Sequence, residues 1–352
     1  MAGRHNRRDF SSSMRSTNQA FLSNKAQPEN PVNVAFVLPD HFSMMTYTTA
    51  IDALVTTNLV KSSATFDYQT YSLNEDHKVI SDIAIEISTS NLLDELVFKG
   101  KKASDVLIFC GGFRCDLSEN KKLSQKLQAA FQHKITIAGL WNGAVPIAHA
   151  RLLDHKACAL HPDNHAFMRE MFPTIEVSDQ SLVTTPPIST CSGPVSALNL
   201  MLDIVKHYQG ENTVTAVQEI LSCDQNKRSE ALKSLSPADD RDLPAKLQEL
   251  ILLMSANIEE PLSIDELHQY SGVSRRQIER LFQTHLNVSP SRYYLELRVT
   301  NARRLLLQTQ ESITSISIAC GFANTSHFSN CFKSFFGTSP SAIRQNLTRE
   351  NQ

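Results

Sequence analysis

A chain of 352 residues with 41% hydrophobic and 20% charged side chains has an ordinary globular composition, long enough for two domains of usual size. No apolar run approaches the ~20 residues that span a bilayer, and the polar, arginine-rich N-terminus lacks the apolar core of a signal peptide, so a membrane partner is not expected. The formal charge of −2 is unevenly spread: residues 262–349 carry +5 and the remainder −7, the balance of a phosphate-binding module on an acidic body.

Residues 1–30, with Arg4, Arg7, Arg8 and Arg15, read as a mobile tail: a solvated leader, or a segment that touches nucleic acid. Val32–Leu38 is a short β-branched run that predicts a buried strand, followed by a helix over Ser43–Asn58. Asp105–Cys110 and Lys134–Leu140 repeat the pattern, each ending in a glycine-marked turn, Gly111-Gly112 and Trp141-Asn142-Gly143. Strand, turn and helix in repetition predict an α/β domain over 31–222, a parallel sheet with helices on both faces. Ligands of such sheets bind at the C-terminal ends of the strands, so the turns after Leu38, Cys110 and Leu140 are the ones to watch. The polar segment 223–244, broken by Pro237 and Pro244, predicts a linker. The cysteines, Cys110, Cys115, Cys158, Cys191, Cys223, Cys320 and Cys331, are scattered and show neither zinc spacing nor a disulfide framework. A reducing cytoplasm with no structural metal and no cofactor is the expectation.

From residue 245 to 349 helical periodicity takes over, and the segment contains a degenerate repeat. Ser263–Leu267, Ser271-Gly272-Val273-Ser274, Ile278, Leu281-Phe282 and Ser289-Pro290 recur as Ile313–Ile316, Cys320-Gly321-Phe322, Phe328, Phe332 and Ser339-Pro340. Each copy predicts a helix, a turn whose glycine takes a positive φ, and a second helix: two helix-turn-helix units. Ser274 suits the N-cap of the second helix of the first unit. In that helix the apolar positions share one face and leave Arg275, Arg276, Glu279 and Arg280 on the other. The second unit exposes Thr325, Ser326, Ser329, Asn330 and Lys333, side chains able to hydrogen-bond base edges or reach phosphates. Ser291–Gln308 predicts one continuous helix of about 27 Å, which with its turns places the two reading helices in successive major grooves of double-stranded DNA, ~34 Å apart.

Residues 245–347 resemble the AraC/XylS transcription regulators, on Arg292–Arg298, Ile318–Phe322, Ser326–Ser329 and Phe336–Pro340. The resemblance implies an all-α double helix-turn-helix domain, base-reading roles for Arg276, Glu279, Arg280, Thr325, Ser326, Ser329 and Asn330, and RNA polymerase as a partner. Asn330 departs from the arginine often found at that position, so the first unit is expected to supply more of the affinity.

Residues 31–222 resemble the class I glutamine amidotransferase-like superfamily, ThiJ/PfpI branch, on Gly139–Gly143, Leu152–Asp154, Leu160–Pro162, Phe172-Pro173 and Thr190–Gly193. More narrowly they resemble the members fused to AraC-type domains, which include regulators of arginine, carnitine and glycine betaine metabolism. That implies a flavodoxin-like sandwich. Enzymes of the superfamily carry a cysteine nucleophile on the sharp turn after a strand; here Trp141 stands there, and an indole cannot act as a thiolate. A ligand-sensing, dimerising domain rather than an enzyme is the expectation. Asp52, Gly112, Trp141, Asn142, His161, Cys191, Ser192 and Gly193 are the candidate effector contacts. Trp141 and Asp52 suit an ammonium group, and the amides near Ser192-Gly193 suit a carboxylate, so a zwitterion such as an amino acid or betaine fits. Three alternatives stay open: Trp141 fills the old active site, Cys191 serves as a displaced nucleophile or redox sensor, or the domain only dimerises.

Overall fold

Strands that are apolar on both faces are stable only between two layers of helices, and this decides the architecture of residues 30–210. The computed structural model describes residues 8–22, 30–61, 63–100, 103–221 and 243–350. They begin with a helix, α1 (Ser12–Leu22), and continue through β1 (Val32–Leu38), α2 (Met44–Lys61), β2 (Phe66–Ser72), the hairpin β3 (Lys78–Ile80) and β4 (Glu86–Ser88), and β5 (Asn91–Leu92). After these come β6 (Val106–Cys110), α3 (Lys121–Gln132), β7 (Thr136–Leu140), α4 (Ala144–His149), β8 (Ala157–Cys158), α5 (His165–Met171), β9 (Glu176–Val177), β10 (Leu182–Thr185), β11 (Ile188–Cys191) and α6 (Pro194–Gln209). Seven strands make one sheet in the order β10-β11-β7-β6-β1-β2-β5. All its pairings are parallel except β10 with β11. β6 is buried at every position and β1 over its last five. Ala35, Val37, Leu107 and Phe109 face a core shared with α3 and α4. On the opposite face Phe36 meets Tyr47 of α2, and Phe66 meets Tyr208 of α6.

The second unit holds α7 (Glu211–Leu221), α8 (Ala245–Ala256), α9 (Ile264–Ser271), α10 (Arg275–Leu286), α11 (Pro290–Gln308), α12 (Ile313–Ala319), α13 (Thr325–Phe336) and α14 (Pro340–Glu350). Its helix ends follow local chemistry. Ser263 and Glu266 cap the start of α9 reciprocally, Ser274 and Gln277 do so for α10, and Asn324 accepts from the His327 amide at the start of α13. Gly272 and Gly321 carry φ of 67° and 71° in the two turns. Gly272 needs only that freedom. Gly321 also needs the space, because a Cβ there would lie 2.5 Å from Pro261 Cγ and 2.6 Å from Ile258 O.

The structure departs from the sequence reading at the N-terminus. Residues 8–22 are no free tail: they belong to the same unit as 211–350. The cause is a polar stripe on α11, where Glu296, Thr300 and Arg303 recur at i, i+4 and i+7 and are all buried. Glu296 is 0% exposed and accepts from the Ser11 amide (3.1 Å), the Ser11 hydroxyl (2.5 Å) and Arg292 Nε (3.0 Å). Asn18 donates to Thr300 Oγ1 and accepts from Arg303 Nη1 (2.6 Å). The Arg303 guanidinium lies 3.7 Å from the centroid of the Phe21 ring. Burial lowers the Arg303 pKa to about 10. A buried charge is tolerated only with such partners, and residues 8–22 supply them. Phe10 and Met14 join the same apolar core as Leu250, Phe282 and Phe332. The boundary shifts too. α7, expected within the first domain, groups with the second unit, and Gly210 at φ 78° breaks it from α6. Of the predicted linker, 223–244, all but the last two residues lie outside the described residues, as do 1–7 and 23–29 of the predicted tail.

Candidate nucleic-acid interface and effector site

The helix-turn-helix units are organised around α11, whose 19 residues give a spacer of about 28 Å. Ile278, Phe282 and Leu286 bury one face of α10, and Phe328, Phe332 and Phe335 bury one face of α13. The opposite faces present the sequence-predicted residues. Arg275, Arg276, Glu279 and Arg280 are exposed on α10; Ser326, Asn330 and Lys333 are exposed on α13, with Thr325 and Ser329 half-buried beside them. Arg275 is held in an ion pair with Asp265 of α9, which leaves Arg276 and Arg280 as the arginines of the face without an ion pair among the described residues.

One residue that the sequence reading placed only within the Arg292–Arg298 resemblance, with no role of its own, fixes the second unit to the spacer. Arg298 donates from Nε to Cys320 O (2.8 Å) and from Nη2 to Gly321 O (2.7 Å), and its guanidinium lies 4.2 Å from the Phe322 centroid. It clamps the turn of the second unit onto α11. No local pattern distinguishes it from a solvated helix arginine; its contacts lie more than twenty residues downstream.

In the first unit of the fold, the turns after β1, β6 and β7 are stitched into one cluster. The Gly111 amide donates to Leu140 O and the Ser43 amide to Gly111 O. Gly112 N–H donates to Asn142 Oδ1 (3.1 Å), and Asn142 Nδ2–H donates back to Gly112 O (2.9 Å). A Cβ on Gly112 would sit 2.1 Å from His41 O, so only glycine fits there. Asn142, proposed as an effector contact, spends its side chain on this brace and is 2% exposed.

Trp141 crowns the turn in a left-handed conformation, φ 62°, with Gly139 and Gly143 packed so tightly beneath that a Cβ on either would approach the other to 2.7 Å. This is the sharp elbow that a nucleophile would occupy. The indole stacks on His161 with ring centroids 4.5 Å apart and planes within 1°, and the His161 amide donates to Trp141 O. Trp141 Nε1 is buried and has no hydrogen-bond partner among the described residues, and the same holds for His41 Nδ1 in the turn after β1. His41 was not singled out from sequence; the signal was only that its turn ends a strand, although its φ of 63° marks it once the backbone is known.

Four expected contacts are placed otherwise. Asp52 is exposed on α2, nine residues beyond Ser43 and so about 13 Å along the helix from the turn cluster. The Ser192 amide donates to Ser181 O and the Gly193 amide to Ser196 Oγ, so neither is free for a carboxylate. Cys191 is fully buried at the end of β11, paired in register with Leu140. Burial pushes its thiol up to about 12, only partly offset by hydrogen bonds from the Trp141 and Gly193 backbone and the Ser196 hydroxyl. A protonated, covered thiol is no nucleophile. Among the described residues no His, Cys, Asp and Glu cluster suits a metal ion, and no helix is long and apolar enough to cross a membrane.

Residues 32–207 match the DJ-1/PfpI family, and residues 267–346 match a helix-turn-helix domain model. The HTH-type transcriptional regulator GbdR of Pseudomonas aeruginosa is 34% identical over 91% of this chain and 86% of its own length. The chain belongs to the AraC-type transcription regulators that carry a DJ-1/PfpI domain. The HTH-type transcriptional regulator CdhR of the same organism is 30% identical over 88% of this chain and 90% of its own length. A solved AraC family transcriptional regulator from Pseudomonas putida aligns with 33% identity, 54% of this chain, all of its own, and a TM-score of 0.49. The regulator is thus a two-part DNA-binding protein, and its curated relatives carry the names of transcription regulators, not of enzymes.

Proposed function

We propose that the regulator is a cytoplasmic activator that reads a bipartite operator through Arg276, Glu279 and Arg280 on α10 and through Thr325, Ser326, Ser329 and Asn330 on α13, with Arg275 and Lys333 on flanking phosphates. It acts as a homodimer, recruits RNA polymerase, and responds to a small zwitterion held at the elbow of the DJ-1/PfpI domain. The observation that carries the effector reading is the pair of unpartnered buried groups at the strand ends, Trp141 Nε1 and His41 Nδ1, flanking a turn built for chemistry but lacking its nucleophile. A buried indole N–H without an acceptor is costly, and a ligand carboxylate repairs that cost. The ammonium end has the indole face that His161 leaves uncovered. A ligand of this kind switches the regulator only by binding two conformations unequally.

Isothermal titration with arginine, carnitine and glycine betaine tests this. Heat from one of them that disappears in Trp141→Ala supports the site; no heat from any of them on folded protein overturns it.

A further inference from the structure

The two reading helices are unequal in charge. α10 carries Arg275, Arg276 and Arg280, whereas the only lysine or arginine in Thr325–Phe336 is Lys333. The start of the described chain changes that balance. The Arg8 amide donates to Ser334 O (2.9 Å), satisfying one of the last carbonyls of α13, which a helix leaves without an internal partner. Phe10 fixes the approach of the segment, its ring 4.7 Å from Phe335 and 5.2 Å from Phe336, centroid to centroid. The segment then turns along α11 through Asp9 and Ser11, whose backbone groups bond Arg292 and Glu296. Ser334 follows Asn330 by four positions and Lys333 by one, so Arg8 enters at the edge of the exposed face of α13. Its side chain is exposed. Burial pushes the Cys331 thiol of α13 up, and the charges of Arg8 and Arg298 pull it back.

We propose that Arg8 is a DNA-backbone contact of the second helix-turn-helix unit, carried to α13 by the N-terminal segment and supplying a second positive charge beside Lys333. The ligand is a phosphate of the duplex flanking the second half-site, and the contact adds affinity without base preference. The proposal rests on α13 facing DNA, as the proposed function has it.

The test uses the full-length protein and a duplex enriched by that protein from random-sequence DNA. Each phosphate contact steepens the salt dependence of binding by about 0.9 in log–log slope, so Arg8→Ala reduces the slope by about 0.9 and the affinity about five-fold at roughly 0.15 M salt. Arg8→Lys retains both. Ethylation interference then loses one phosphate beside the second half-site and none beside the first. An unchanged slope for Arg8→Ala, with Arg280→Ala still weakening the preference for the enriched duplex, overturns the proposal and leaves the DNA-reading surface standing. Loss of neither slope nor preference in any of these variants overturns the reading of the surface as well.

Discussion

The first and second helix-turn-helix units bury matching positions and expose different ones. Ile278 and Phe282 in α10 correspond to Phe328 and Phe332 in α13, all four fully buried. Both turns pass through a left-handed glycine, and both reading helices begin on a side-chain cap. Yet the exposed face is arginine-rich in one and hydroxyl- and amide-bearing in the other. The difference teaches that the scaffold is specified by apolar spacing and turn geometry, which tolerate no charge, while the reading face is free to vary because solvent or DNA meets it. Groups from elsewhere in the chain hold both units: Lys246 donates to Ser271 O in the first, while in the second Arg298 clamps the turn and Phe10 seals the end of the reading helix.

The scaffold half of that comparison carries the largest expected effect. Phe282→Ala and Phe332→Ala each lose about 3–5 kcal/mol of stability in urea unfolding, since each empties a buried ring from a shared core. Equal losses support matching scaffolds, and a loss confined to one unit breaks the match. The turns come next. Gly272→Ala costs about 1–2 kcal/mol for the left-handed backbone alone, whereas Gly321→Ala costs more than that because its methyl group meets Pro261 and Ile258. Equal melting points for the two variants would contradict the crowding at Gly321. On the reading faces, Arg280→Ala weakens specific binding by about 1–3 kcal/mol, and Asn330→Ala by less, in a salt-controlled mobility-shift assay. The reverse order would make the second unit the dominant reader.

The smallest effect concerns the thiols, which only the second unit possesses. A raised thiol pKa keeps the sulfur protonated and slows alkylation at about pH 8.5, where a free thiol is half ionised. Cys320, pushed up to about 11 by burial, is therefore slow under native conditions. Removing the positive charge of Arg8 raises the Cys331 thiol further, so Arg8→Ala slows its alkylation. A faster or unchanged rate would place Arg8 away from α13.

Much of the architecture was legible because it rests on short-range rules. A glycine between two amphipathic segments, a serine ahead of a helix, or an apolar run ending in Gly-Gly constrains its own neighbourhood. Trp141 at the elbow was legible for the same reason: Gly139 and Gly143 bracket it within five residues. Asp52 was misplaced because a carboxylate on the correct helix says nothing of how far along the axis it sits, and nine residues are more than two turns. The amides at Ser192 and Gly193 were misjudged because their acceptors, Ser181 O and Ser196 Oγ, depend on a strand and a helix closing around them.

The sequence by itself determined the two-part fold, the doubled recognition unit, the exposed residues of α10 and α13 and the missing nucleophile, since each depends on periodicity or on residue identity within a few positions. Only the tertiary structure decided that residues 8–22 complete the DNA-reading unit and that His41 joins Trp141 at the strand ends. The reason is distance along the chain. Ser11 meets Glu296 across 285 residues and Asn18 meets Thr300 across 282. A buried polar stripe on one helix calls for a partner, but nothing local in the sequence says which segment answers.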